Sequence, residues 1–350
     1  MNPGTILIRA DANTSIGSGH VMRCLALAQV WQDAGGQAVF AMADVNPAIR
    51  ARVEAESCDV IPIQGPAGTS DDALRTVALA REKHAVWVVV DGYQFSAEFH
   101  KLLKIAGRKV LLLDDNGHAR HYSADLVLNQ NLYADESMYE RREPYTRLLL
   151  GTTYTLLRRE FNSWAGWKRE IPETGRKVLV TFGGSDPGNL TRLVIQATRL
   201  INIEGLETVA VVGASNPHYD SLREIAAETH HPVRLERSVS NMAALMAWAD
   251  LAVSAAGTTC LEMCTLGLPA IVVTVAENQR ASARELDRRG CVVHLGEAEE
   301  VRIEKIADAV EKLLNARELR QSLSRRGREI VDGDGAKRVY SAMQEGSLTP

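Results

Sequence analysis

Short runs of aliphatic and β-branched residues recur along the chain, each followed by a stretch whose apolar positions fall three and four apart. The runs at 6–8, 38–43, 60–63, 86–90, 110–113 and 126–128 are short and apolar on consecutive positions, so they read as strands buried on both faces of a parallel sheet. Helical periodicity at 71–83 and 98–106 falls between them, which makes the first half α/β. Around 162–175 the periodicity lapses into Trp164, Gly166, Trp167, Pro172 and Gly175. A linker over 162–176 is therefore expected between an N-terminal α/β domain at 1–161 and a C-terminal α/β domain at 177–350. The second half restarts the alternation, with strands at 178–182, 209–212, 233–235, 251–254, 271–274 and 292–295 and helices at 188–200, 301–314, 318–331 and 336–344. The last helix is free to pack back on the first domain. The expected fold is α/β: two doubly wound parallel-sheet, Rossmann-like domains facing a cleft, with ligands at the carboxyl ends of the strands.

A chain of 350 residues exceeds the usual size of one hydrophobic core, in keeping with two domains. Its net charge of −4 comes without a block of basic residues, which gives no reason to expect a nucleic-acid partner. No apolar run approaches the roughly 20 residues that span a bilayer, and no signal-type stretch opens the chain, so no membrane partner and a cytoplasmic location are expected. Five scattered cysteines without a Cys-x-x-Cys pair argue against disulfides and structural zinc; Cys260 and Cys264 read as small buried apolar residues. His118 and His121 with Asp114 and Asp115 hint at a metal cluster, but Asn116-Gly117 marks a turn there, and no metal and no cofactor are expected. A monomer is the default oligomeric state.

Candidate chemistry concentrates where strands deliver glycines to helices. After the first strand come Gly17, Ser18, Gly19 and His20, where the glycines let a ligand approach the main chain and the helix amides favour anions. Val21, Cys24, Leu25 and Ala28 would face the sheet, leaving His20 at the solvent-facing first turn as a proton-handling imidazole. The second half repeats the device at Gly183-Gly184 and again at Ala256-Gly257-Thr258-Thr259, whose amides suit phosphate. Glu262, one turn further, is positioned to accept hydrogen bonds from ribose hydroxyls, and Asn278 and Gln279 can point amides at a ligand. The bland alternatives are a capping histidine at His20 and a helix-dipole carboxylate at Glu262.

These motifs, Gly17-x-Gly19-His20, Phe182-Gly-Gly-Ser-Asp186 and Ser254-Ala-Ala-Gly257-Thr-Thr-x-x-Glu262 with Gly267-Leu-Pro269 and Asn278-Gln279, resemble the GT-B nucleotide-sugar fold in the neighbourhood of the MurG glycosyltransferases. Arg9-Ala10-Asp11, the run from Ile16 to Leu25, Asp91-Gly-Tyr93, Asp114-Asp115, Asn129-Gln-Asn131 and Gly151-x-x-Tyr154-x-Leu-Leu-Arg-x-Glu160-Phe161 resemble more narrowly the PseG type, the UDP-2,4-diacetamido-2,4,6-trideoxy-β-L-altropyranose hydrolases of pseudaminic acid biosynthesis. The resemblance implies a metal-independent hydrolysis of a UDP-sugar by water, releasing UDP with inversion at C1 and with His20 as base. It also implies that Tyr93 and Arg23 line the sugar side. Three other readings stay open: a MurG-like transferase, an NAD-dependent oxidoreductase, and a non-catalytic nucleotide-sugar module. The oxidoreductase is weakened because Met22 stands where G-x-G-x-x-G needs its third glycine.

Overall fold

The computed structural model describes residues 2–13, 17–44, 46–213, 216–237 and 239–345. The chain divides into two compact units, one formed by residues up to Arg159 and from Gly333 onward, the other by Glu160–Asp332.

Unit 1 runs β1 (Thr5–Ala10), α1 (Gly19–Asp33), β2 (Gln37–Met42), α2 (Pro47–Glu54), β3 (Asp59–Pro62), α3 (Ser70–Glu82), β4 (Ala85–Asp91), α4 (Ala97–Ile105), β5 (Lys109–Leu113), β6 (Leu126–Asn129) and β7 (Arg147–Leu150). Its seven strands lie in the order β3-β2-β1-β4-β5-β6-β7, and neighbouring strands pair parallel. Ile6, Leu7 and Ile8 are wholly buried, as an apolar run covered by helices on both faces requires. Helix α1 buries Val21, Cys24, Leu25 and Ala28, and Ala26, Leu27 and Trp31 as well. That second stripe exists because the C-terminal helix Gly335–Glu345 belongs to unit 1: its Tyr340 ring meets Trp31 edge-on at 5.5 Å, and Val339, Ala342 and Met343 join the same core. Two elements carry no periodic signal. Helix α2 buries only Val53 and is started by the Asn46 side chain, which accepts from the Ala48 amide ahead of an apolar stripe that never forms. Strand β7 is the sheet edge and buries only Leu149.

Unit 2 continues with β8 (Lys177–Thr181), α5 (Leu190–Thr198), β9 (Glu207–Val212), α6 (Tyr219–Ala227), β10 (Val233–Arg237), α7 (Met242–Trp248), β11 (Leu251–Ala255), α8 (Thr259–Thr265), β12 (Ala270–Thr274), α9 (Arg280–Arg288), β13 (Val293–Glu297), α10 (Ile303–Asn315) and α11 (Arg317–Ile330). The six strands lie in the order β10-β9-β8-β11-β12-β13. The aperiodic stretch before β8 is tied down by arginines. Buried Arg320 donates to the Pro172 and Glu173 carbonyls at 2.9 and 3.0 Å, and Arg169 donates to the Leu266, Met246 and Ala249 carbonyls.

Both sheets share one topological consequence. In unit 1 the chain turns from one side of β1 to the other at β4, and in unit 2 it does so between β8 and β11. Loops leaving such neighbouring strands diverge and leave a crevice at their carboxyl ends. The loops after β1 and β4, and those after β8 and β11, are the ones that carry most of the candidate residues.

Candidate active site

At the switch point of unit 1, Ala10 at the end of β1 pairs with Asp91 at the end of β4. Gly17 takes φ +73°, a conformation that favours glycine, and α1 begins two residues later. Gly19 is the first helical residue and uses no such freedom, and Ser18 precedes the helix without a side-chain cap. His20 is thereby turned inward: only 8% exposed, it does not face solvent as its place in the sequence suggests, because the Asp91 carboxylate draws it down. His20 Nδ1 lies 2.6 Å from Asp91 Oδ1. An ionised carboxylate accepts only, so Nδ1 carries the proton and Nε2 is left as the acceptor nitrogen. Among the described residues Nε2 has no hydrogen-bond partner.

Arg23, one turn along α1, sits in a buried charge network. It is buried and fully engaged, with Nε 2.7 Å from Asp91 Oδ2, Nη2 2.7 Å from Asp91 Oδ1, and Nη1 2.8 and 2.9 Å from the two oxygens of Asp115. A planar fork with fixed donors suits this bridging of two carboxylates. Burial opposes the charge on Arg23, but Asp115 and Asp91 outweigh it and raise its pKa. Burial likewise opposes ionisation of Asp91, yet Arg23 and then His20 hold its carboxyl well below the usual carboxylate range. Asp115 also accepts from the Tyr93 hydroxyl at 2.9 Å and from Asn131 Nδ2 at 2.7 Å. The half-buried Tyr93 ring stands edge-on to His20 at 4.9 Å. Asp91, Asp115 and Asn131 are the partners that site reasoning from sequence missed; their signal was a polar residue at or just past the carboxyl end of three adjacent apolar strands.

In unit 2, Gly183 and Gly184 follow β8, with Gly183 at φ +81° and open space where a Cβ would stand. The N-terminus of α5 differs from expectation. Its amides at Leu190 and Thr191 donate at 2.9 Å to the Asp186 carboxylate, so the protein's own anion already occupies it. Ala256, Gly257 and Thr258 follow β11; an added Cβ at Gly257 would stand 3.6 Å from Gln279 Nε2, an ordinary contact. Thr258 precedes α8 without a side-chain cap, and half-buried Glu262 lies in its first turn. Asn278 is exposed in the short turn Glu277–Gln279, and Gln279 folds back to accept from the Val275 amide at 3.1 Å.

Among the described residues no three His, Cys, Asp or Glu side chains converge as a metal site. His118 and His121 serve different partners, Asp114 at 3.2 Å and Glu143 at 3.0 Å. Among the same residues no helix is long and apolar enough to cross a membrane.

Residues 178–339 match the glycosyltransferase family 28 C-terminal domain. The chain is 30% identical over 252 residues to the spore coat polysaccharide biosynthesis protein SpsG of Bacillus subtilis, covering 71% of this chain and 73% of that one. It is 28% identical over 290 residues to a UDP-2,4-diacetamido-2,4,6-trideoxy-beta-L-altropyranose hydrolase of Campylobacter jejuni, covering 81% and 97%. Among solved structures, Acinetobacter baumannii MurG superposes with TM-score 0.67 at 16% identity over 97% of this chain and 99% of that one. A putative UDP-N-acetylglucosamine 2-epimerase of Listeria monocytogenes superposes with TM-score 0.69 at 15% identity over 99% and 97%. These neighbours give the fold, two Rossmann-like domains of GT-B type. With its identity and coverage against SpsG, and with its match over nearly the whole length of the hydrolase, the chain belongs to the SpsG family as a PseG-type protein.

Proposed function

We propose that the chain is an enzyme that hydrolyses a UDP-linked 2,4-diacetamido-2,4,6-trideoxyhexose to UDP and free sugar with inversion at C1, in pseudaminic acid biosynthesis. The observation that carries this reading is the buried His20–Asp91 pair with Nε2 unpartnered among the described residues. Water placed at Nε2 gives its proton to the imidazole as its oxygen bonds to C1. The C1–O bond to the β-phosphate breaks as the new bond forms, with its electron pair going to the departing UDP. Asp91 holds the ring in the tautomer that can accept this proton and stabilises the imidazolium that forms. Tyr93, fixed by Asp115, offers an aromatic edge beside the reacting centre.

Unit 2 supplies the nucleotide contacts in this reading. Gly183, Gly184 and the backbone at Ala256, Gly257 and Thr258 meet the diphosphate, Glu262 accepts from the ribose hydroxyls, and Asn278 and Gln279 hydrogen-bond the remainder. The name of the Campylobacter relative supports the substrate and the reaction. The family 28 match at residues 178–339 favours a second reading, a transferase that replaces water with an acceptor hydroxyl. Incubation with a panel of UDP-sugars, with and without excess EDTA, distinguishes them. Hydrolysis predicts UDP release without an acceptor and in the presence of chelator, lost in His20→Asn by about two to four powers of ten. Release only when an acceptor is added would favour the transferase.

A further inference from the structure

The loop after β4 places one more polar side chain at the crevice of unit 1. Asp11 lies one residue past the end of β1 and Gly92 one residue past the end of β4, neighbouring strands whose ends pair at Ala10 and Asp91. Gln94 spans the two. Its Nε2 donates to Asp11 Oδ2 at 3.1 Å, and its amide lies against Gly92, where an added Cβ would stand 2.6 Å from Oε1 and 2.9 Å from Nε2. Gly92 joins Asp91, which holds His20, to Tyr93, which stands edge-on to the same ring. The Gln94 amide therefore packs on the segment that links the two partners of the imidazole.

Asp11 is itself fixed. Its Oδ1 accepts from Arg9 Nη1 and from the Ala43 amide, both at 2.7 Å, while Asp72 takes Arg9 Nε at 3.0 Å and Nη2 at 2.9 Å. All three charged side chains are buried. A carboxylate only accepts, so Asp11 decides which end of the Gln94 amide faces it: the nitrogen turns toward Asp11 and the oxygen is left over. Oε1 has no hydrogen-bond partner among the described residues, and it is not sealed from solvent. A primary amide whose nitrogen is tied in this way cannot flip without losing its bond to Asp11, so it presents an acceptor and nothing else at that point.

We infer that Gln94 is a specificity-determining residue: Oε1 accepts a hydrogen bond from the N–H of the acetamido group at C2 of the sugar, the donor adjacent to the anomeric carbon. This rests on the proposed substrate class, because the water that attacks C1 sits at His20 and the substituent on the neighbouring carbon falls beside the Asp91-Gly92-Tyr93 segment. Asp11 acts through Gln94 as a positioning residue.

Calorimetry in the His20→Asn background, which keeps the UDP-sugar intact, tests the contact. The ligands are the UDP-linked 2,4-diacetamido-2,4,6-trideoxyhexose, its analogue with a 2-acetoxy group, which keeps the shape and lacks the N–H, and UDP. With Gln94 in place the diacetamido sugar should bind about tenfold more tightly than the acetoxy analogue, the worth of one hydrogen bond. Gln94→Met, which keeps the length and loses the acceptor, and Gln94→Leu as a second variant, should bind the two sugars about equally and UDP as before. With His20 restored, Gln94→Met should raise KM about tenfold with kcat changing less. A variant that binds UDP normally and still prefers the diacetamido sugar overturns the assignment. So does equal binding of the two sugars when Gln94 is present, or binding of neither more tightly than UDP. Loss of UDP binding in both variants would make Gln94 a structural residue and overturn it as well. A preference that depends on Gln94, in a protein whose wild type releases no UDP from the sugar, would overturn the proposed hydrolysis and leave the contact standing.

Discussion

Replacing Asp91 with asparagine probes the buried network at its centre, because the side chain keeps its size and loses its charge. Oδ1 accepts from His20 Nδ1 at 2.6 Å and Arg23 Nη2 at 2.7 Å; Oδ2 accepts from Arg23 Nε at 2.7 Å and Cys24 Sγ at 3.4 Å. An amide has one acceptor and one donor. With its oxygen toward His20, the NH2 meets Arg23 Nε, donor against donor. With its oxygen toward Arg23 Nε, the NH2 faces Arg23 Nη2 and His20 Nδ1, so Nδ1 must accept and the ring proton moves to Nε2, the nitrogen meant to take a proton from water. Either orientation leaves part of a buried guanidinium unpaired, a loss on the order of 3–5 kcal/mol in stability. The second removes the base, a loss of about two to four powers of ten in kcat. Urea unfolding and UDP-release kinetics on Asp91→Asn, Arg23→Met and the double variant separate the two. The double variant should recover stability relative to Asp91→Asn, because the orphaned guanidinium is gone, and should stay inactive. An Asp91→Asn protein with wild-type stability and a rate within a few-fold of wild type would refute the reasoning.

Removing Glu262 should weaken UDP by roughly one to two powers of ten, the worth of charge-assisted hydrogen bonds to ribose. Calorimetry with UDP and 2′,3′-dideoxy-UDP checks it: Glu262→Ala should bind both about equally, and a mutant that still discriminates as wild type does leaves Glu262 a helix carboxylate only. Because the folded-state pKa of Asp91 is depressed, its contribution to stability is present above the unfolded carboxylate value and is lost as pH falls through the folded one. Urea midpoints below about pH 4 should therefore fall more steeply for wild type than for Asp91→Asn. Asp186→Ala should cost about 0.5–2 kcal/mol, as loss of a helix cap does, while leaving UDP affinity within a few-fold in calorimetry, since α5 is closed by its own carboxylate.

What the sequence made legible follows from local physics. Continuous apolar runs mark strands buried on both faces, and glycines at their ends mark turns such as Gly17 and Gly183, both at positive φ. Those two signals recover the strands of both sheets apart from β7 and place His20 at the start of the helix that follows β1. Helix α2 escaped because a cap and a proline start it without an apolar stripe to reveal it. The partners of the site escaped because they are remote in sequence: Asp91 is 71 residues from His20 and Asp115 is 92 from Arg23. Only the parallel pairing of β1 with β4 and β4 with β5 brings them together. The pairing of Arg23 is illegible for a related reason, since sequence shows a charge but not the two buried carboxylates that meet it. At α5 the Asp186 carboxylate takes the Leu190 and Thr191 amides, which leaves the backbone at Gly183 and Gly184, and not the helix amides, to meet an anion.

The central claim, that His20 activates water for attack on the anomeric carbon, is tested most directly by running the reaction in 18O-labelled water and following both products by mass spectrometry and NMR. The account predicts the label on C1 of the free sugar, inverted anomeric configuration in the first-formed product, and loss of this chemistry in His20→Asn. Label in the phosphate of UDP, or a sugar released with retained configuration, would contradict it.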